Sequence, residues 1–318
     1  MGLAKADDAA GPAAMRRLTQ EQYKQIITDI FGPTVTLGGR FEPDVRDAGL
    51  LAVGASQVSV TAAGLEQYDR MARSIASQVV DKQHRPLLIP CKPASAIAPD
   101  DVCANTFRSK VGKLLYRRPL TQHERDAAVA AANAATAKTG DFYNGVGLSL
   151  AGMLAAPEFL FRQEVVEPDP DHAGAYRLDA YSKASRLSFF LWNAAPDPEL
   201  LASAQSGEIN SSAGLKKQVD RLMASPRLET GVRAFFIDLL AFDGFSTLAK
   251  DTSLYPKFTS QVLRDAQEQT MRTIIDQLLT QNGDYRDLFT THKTFLTPLL
   301  ASIYKVQVPF PEGVLNPW

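Results

Sequence analysis

The sequence predicts a mainly α-helical protein, and three observations carry that expectation. Apolar residues recur at helical spacing, as in Tyr23, Ile26, Ile27, Ile30 and Phe31, which follow i, i+3, i+4, i+7 and i+8. Helix-opening signals stand where such faces begin: Thr19 with Gln22 and Thr121 with Glu124 are capping boxes. Asp197-Pro198 reads as an N-cap followed by proline at the first helical position. Glycine and proline then punctuate the gaps, at Gly32-Pro33, at Gly140 and through residues 165–177.

Taken in order, a first helix follows Thr19 and stops at Gly32-Pro33. Residues 33–60 are Gly-rich and irregular, with room for a loop or short strand pairings. Thr61 caps a second helix with Leu65, Tyr68, Ala72, Ile75 and Val79 on one stripe. Residues 84–99 read as extended because prolines interrupt them. A third helix is expected over about 100–117, with Val102, Phe107, Val111 and Leu114 inward. An Ala-rich helix opens at Thr121 and ends at Gly140. The next, about 142–155, carries Gly145, Gly147 and Gly152, which cost helix propensity and point to close approach of a neighbouring helix. After the Pro/Asp/Gly stretch, Asp179 caps a helix with Ala180, Ala184, Leu187 and Leu191 on one face. Helices then follow Asp197, around Leu215 to Leu222, and from Pro226, the last with Val232, Phe235, Phe236 and Leu239 inward. A long helix spans roughly 258–280, and Asp284 and Thr297-Pro298 each open a short one.

The organisation expected is a disordered start or tag remnant over residues 1–15 and an N-terminal helical unit over 16–165. A second helical unit follows over 178–305, then an irregular tail over 306–318. The chain has 318 residues, 45% apolar and 22% charged, with a formal net charge of −1. That balance suits a globular protein and gives no broad basic field for nucleic acid. No apolar run approaches the length needed to span a membrane. The first fifteen residues lack an apolar core and are not an intact signal peptide. The two cysteines, Cys91 and Cys103, flank a Pro-rich loop, and read either as a disulfide or as two separate buried thiols. No Cys-x-x-Cys or Cys-x-x-Cys-His run is present, so no local zinc motif or covalent haem c site is expected.

Candidate chemistry centres on Arg162, Glu164, Arg186 and Asp197. Arginines near a cleft can clamp a carboxylate or phosphate with two parallel hydrogen bonds. The alternative is that Arg162 and Arg186 pair with acids such as Glu164 and Asp197 and lock helix ends. Either way both arginines are expected to be buried and hydrogen-bonded. His84, His123, His172 and His292 are not spaced as a local metal pair, and no metal site is expected. Glu66, Asp69, Glu158, Asp265 and Glu268 are available for acid–base work but are not paired by spacing. Ser149 and Ser188 lack a Gly-x-Ser-x-Gly context.

Several motifs stand in one order: Arg16-Arg17-Leu18-Thr19 with Tyr23; Tyr116-Arg117-Arg118-Pro119-Leu120-Thr121; Pro157 to Glu164; Arg186-Leu187-Ser188-Phe189-Phe190-Leu191-Trp192; Arg221-Leu222-Met223 before Ser225-Pro226-Arg227; and Thr294-Phe295-Leu296. Together they resemble the planctomycete-type cytochrome-c-associated proteins, exported bacterial proteins built of serial helical modules of unknown function, often fused to a haem c module. The resemblance implies export to the periplasm or beyond, and favours a Cys91–Cys103 bridge. It implies an exported component of a redox system, with an oxidoreductase subunit as its catalytic form. The cofactor is unknown; haem c is expected on a partner or on further polypeptide, against which residues after about 305 would pack. A non-catalytic binding or assembly module at the cell envelope, and a hydrolase or lyase acting on an extracellular polymer, are the alternatives.

Overall fold

The computed structural model describes residues 15–55, 59–307 and 318, and it is mainly α-helical. Strand β1 (Met15–Arg17) runs into helix α1 (Gln20–Phe31), which opens on the expected capping box: the Thr19 hydroxyl accepts from the Gln22 N–H, and the Gln22 side chain accepts from the Thr19 N–H. One turn, α2 (Leu51–Gly54), interrupts the irregular stretch before α3 (Ala62–Val79). Then come α4 (Arg85–Leu88), α5 (Asp101–Leu115), α6 (Gln122–Thr139), α7 (Phe142–Leu154) and the single turn α8 (Pro157–Leu160). Strand β2 (Phe161–Gln163) pairs antiparallel with β1, and β3 (Val166–Pro168) pairs with β4 (Tyr176–Leu178). Helices α9 (Ala180–Trp192), α10 (Pro198–Ser206) and α11 (Ser212–Met223) follow.

Burial of apolar side chains drives this packing. Tyr23, Ile27, Ile75, Phe107, Leu150 and Phe159 are all within 1% of full burial and belong to one core. At ~1.5–3 kcal/mol per buried large side chain, that core dominates the favourable side of folding. Glycine sets how closely its helices approach. A Cβ on Gly145 would lie 2.0 Å from the Thr136 hydroxyl and 2.5 Å from the Ala132 carbonyl, so α7 sits directly on α6. Gly147 is tight against Val80, whereas Gly152 faces open space and owes nothing to packing.

The compact units divide after Ala224, not at residues 165–177. That stretch forms the β3–β4 hairpin, and α9 to α11 fold with the N-terminal helices. The reason lies in α9: Phe189 and, just beyond the helix, Ala195 enter the N-terminal core, and Gln22 donates to the Asn193 side chain at 2.7 Å. A smaller core gathers Ala184, Trp192, Leu200 and Leu222, with the Trp192 indole donating to the Leu222 carbonyl at 2.9 Å.

The second unit begins at Ser225 and contains α12 (Leu228–Leu239), α13 (Ser260–Ile275) with a wider π turn over Asp276–Thr280, and α14 (Pro298–Tyr304). Phe236, Phe242, Met271 and Ile274 form its core. Phe235, Tyr285 and Phe289 stay exposed, and Phe236 links Phe235 to Tyr285, which meets Phe289 at 5.5 Å. Residues 1–14 and most of the tail, 308–317, lie outside the described residues. The Trp318 ring sits 4.8 Å from the Arg272 guanidinium.

Several local expectations are corrected. Residues 85–88 are a helical turn, not extended chain. Leu65, Val102, Phe235 and Leu239 are exposed rather than inward. In α5 Phe107 and Val111 are inward as expected, but Cys103 and Leu115 take the places of Val102 and Leu114, and the face includes Arg108, a residue that apolar periodicity does not count. Cys91 and Cys103 are disulfide-bonded, with Cα atoms 5.5 Å apart.

The glycine contacts set a paired expectation. Gly145→Ala forces a Cβ into backbone and should cost about 1–3 kcal/mol. Gly152→Ala should be neutral or stabilising by up to ~1 kcal/mol. Urea denaturation of both variants checks the contrast; equal effects would mean that α6 and α7 are not in close contact.

Candidate functional site

Antiparallel pairing of β1 with β2 sets Arg16 directly opposite Arg162. Like charges so placed repel. Glu164 supplies the counter-charge, two residues beyond Arg162. Arg16 Nη1 lies 3.4 Å from its carboxylate, and Arg186 grips it with a fork, Nε at 3.0 Å and Nη2 at 2.5 Å. Arg162 instead lays its guanidinium over the Phe189 ring at 4.7 Å, a cation–π contact. Its Nε is buried without a hydrogen-bond partner. Burial first, then neighbouring Arg16, pushes the Arg162 pKa down to about 10, which still leaves it charged at neutral pH. The bond to Glu164 raises that of Arg186. One largely buried carboxylate is thus held by two guanidiniums and acts on the third through space.

A shallow cleft of only about 40 Å³ lies next to β2, lined by Tyr116, Arg118, Glu158, Gln163, Asp179 and Ser185 among others. Beneath it Arg117, in the left-handed region at φ 59°, points its buried guanidinium at backbone carbonyls: Leu115 at 2.8 Å, Glu158 at 2.8 Å and Phe161 at 2.7 Å. It thereby fixes α8 and the start of β2. Arg118 holds Glu124 with a fork at 2.9 and 2.8 Å, and that hydrogen bonding draws the Glu124 pKa down to about 2. Burial, then nearby Glu158, raises the Tyr116 phenol well above its ordinary value. Arg17 reaches back to Glu42, Asp44 and the Pro43 carbonyl and so ties down the irregular N-terminal stretch. Arg108 donates to the Val146 carbonyl and lies 3.4 Å from the Met153 sulfur; burial pushes it down to about 9.

Of the residues singled out from sequence, Arg162, Glu164 and Arg186 come together and Asp197 does not. Asp197 caps α10 through the Leu200 N–H and is gripped by Arg221 at 2.7 and 2.9 Å. The expectation that both arginines are buried and hydrogen-bonded is corrected. Arg186 is paired but its side chain is 51% exposed, because α9 turns that face to solvent. Arg162 is largely covered but meets an aromatic face in place of an acceptor. Sequence reasoning missed Arg16, Arg17, Arg117 and Arg118, and its available signal was the two arginine doublets at the heads of motifs. His84 and His172 each bond a nearby aspartate, Asp81 and Asp169, while His123 and His292 are exposed. Glu66, Asp69 and Glu268 pair with arginines, and Asp265 accepts from the Thr297 hydroxyl. No group of three or more metal-binding side chains occurs among the described residues.

Three family models match the chain in series, each described as a protein of unknown function: PSD3 (DUF1587) over residues 16–81, PSD5 (DUF1595) over 103–164 and PSD4 (DUF1592) over 178–306. These are domains of the planctomycete cytochrome-c-associated family. No curated protein and no solved structure matches the chain. The arginine cluster draws on all three: Arg16 comes from PSD3, Arg162 and Glu164 from PSD5, and Arg186 from PSD4.

Removing the shared counter-ion should therefore be costly. Glu164→Ala strips the shared counter-charge from Arg16 and Arg186 beside Arg162, and because both contacting arginines are partly exposed it is expected to lose about 1–3 kcal/mol. Arg186→Ala removes an exposed partner and should lose about 1 kcal/mol or less. Thermal or urea unfolding of the two variants checks the ranking. The Glu124 clamp gives a pH signature. Its folded pKa of about 2 lies below the unfolded value near ~4.3, so its contribution is full above that value and fades as pH falls toward 2. The stability gap between the wild type and Glu124→Gln should be widest above about pH 5 and should close in acid.

Proposed function

We propose that this chain is a binding module of an exported redox system, working beside a haem c unit on a partner or on further polypeptide. The serial PSD3, PSD5 and PSD4 domains carry the reading. The Cys91–Cys103 bridge supports an oxidising compartment. Covalent haem c would belong outside this sequence, which holds no Cys-x-x-Cys-His run. The part played here is to hold: arginines from three domains lock onto carboxylates and carbonyls, and two of them still face solvent.

The test is to express the tagged chain with its natural flanking sequence in its native cells and purify it from the periplasmic fraction. In-gel haem staining and a haemochrome spectrum then report covalent haem in the purified complex, and thiol alkylation reports the bridge. The expected result is a stoichiometric haem-staining polypeptide and no alkylated cysteine. A cytosolic chain with two reactive thiols, or a purified complex free of haem, would overturn the proposal.

A further inference from the structure

Three guanidiniums around one carboxylate leave a local excess of two positive charges on a chain whose formal net charge is only −1. The excess faces outward. The side chains of Arg186 and Arg16 are 51% and 33% exposed, and Glu164, which they share, is 9% exposed. Each guanidinium carries five N–H donors, far more than one carboxylate can accept. Apolar surface adjoins them. Phe190 stands one helical turn beyond Arg186 on the same face of α9 and is 78% exposed, although its neighbour Phe189 is core. Arginine beside an exposed aromatic is the composition of a protein-binding hot spot.

We propose that this face docks an acidic peptide segment of a partner protein, whose carboxylates meet Arg16 and Arg186 while an apolar side chain covers Phe190. Charge complementarity selects the occupant. The positive charge is confined to one spot, which suits a few carboxylates rather than the extended backbone of a nucleic acid or an anionic membrane surface. The flanking Phe190 would give a small inorganic anion nothing to bind. Glu164 then acts as a resident competitor that holds the arginines in place until a partner carboxylate shares them. The inference deepens the binding role proposed above by naming the partner's chemistry, and it does not require that partner to carry haem.

The experiment is fluorescence anisotropy on the full chain with a labelled peptide of glutamates around a central Phe-Leu pair. Controls are the same peptide with Gln for Glu, and inorganic phosphate and anionic phospholipid vesicles as competitors. The Glu peptide should bind, and should weaken as salt rises. Arg186→Ala and Phe190→Ala should each weaken it by about tenfold or more, a loss of about 1.4 kcal/mol or greater, while lowering the melting temperature by no more than a few degrees. Glu164→Gln, checked for folding by circular dichroism, should strengthen binding by removing the internal competitor. Equal binding of the Gln peptide, or no response to Arg186→Ala, would overturn the proposal. Full displacement by millimolar phosphate or by vesicles would reassign the face to a small anion or a lipid surface, and would also overturn it. Haem staining of the native complex plays no part in this assay, so either proposal can fail alone.

Discussion

The guanidiniums of Arg17, Arg108 and Arg117 leave water and find oxygen, and the first unit is arranged around that demand. An unpaired buried charge costs several kcal/mol, so each of these three arginines dictates where acceptors lie. Arg117 gathers the carbonyls of Leu115, Glu158 and Phe161. Arg17 gathers Glu42, Asp44 and the Pro43 carbonyl. Arg108 reaches the Val146 carbonyl. Each of these joins segments distant in sequence, so the arginines fix the connections between helices whose apolar faces alone would tolerate sliding. Apolar burial supplies most of the favourable free energy, and these directional bonds select one arrangement.

The same demand explains why PSD3, PSD5 and PSD4 are not beads on a string. β1 of PSD3 pairs with β2 of PSD5, and Glu164 of PSD5 is gripped by Arg186 of PSD4. PSD4 in turn contributes Phe189 to the core built by the other two. Matched sequence segments and compact physical units therefore differ. PSD4 begins at residue 178, but its first three helices belong to the first unit and the rest to the second. A sequence segment records what has been inherited together, while a core records which side chains exclude water together.

Helix positions were largely legible in the sequence because capping and periodicity are local. Thr19, Thr121, Asp179 and Asp197 each cap as their side chains suggest. Facing was less legible. The inward face of α5 includes Arg108, and no hydropathy pattern marks a charged residue as core. Phe235 is outward although its spacing fits an inward stripe, because the small second core closes over Phe236 instead. Strand pairing was illegible, since three-residue strands carry almost no alternation. That hid the cluster's composition. Arg162, Glu164 and Arg186 stand within motifs and could be nominated, but Arg16 joins them only through a pairing that spans 146 positions. Asp197 was nominated for the same reason as the others, and its capping role accounts for it.

That long pairing also orders events in time. At a synthesis rate of ~5–20 residues per second, roughly 7–30 s separate the emergence of β1 from that of β2. Closing such a loop carries an entropic cost that local helices do not face. Through that interval α1 exists without Phe159, against which the Tyr23 ring finally packs at 5.0 Å. Helix α1 is thus made well before it is sealed, and its apolar face is the surface that a nascent chain must keep from the wrong neighbours.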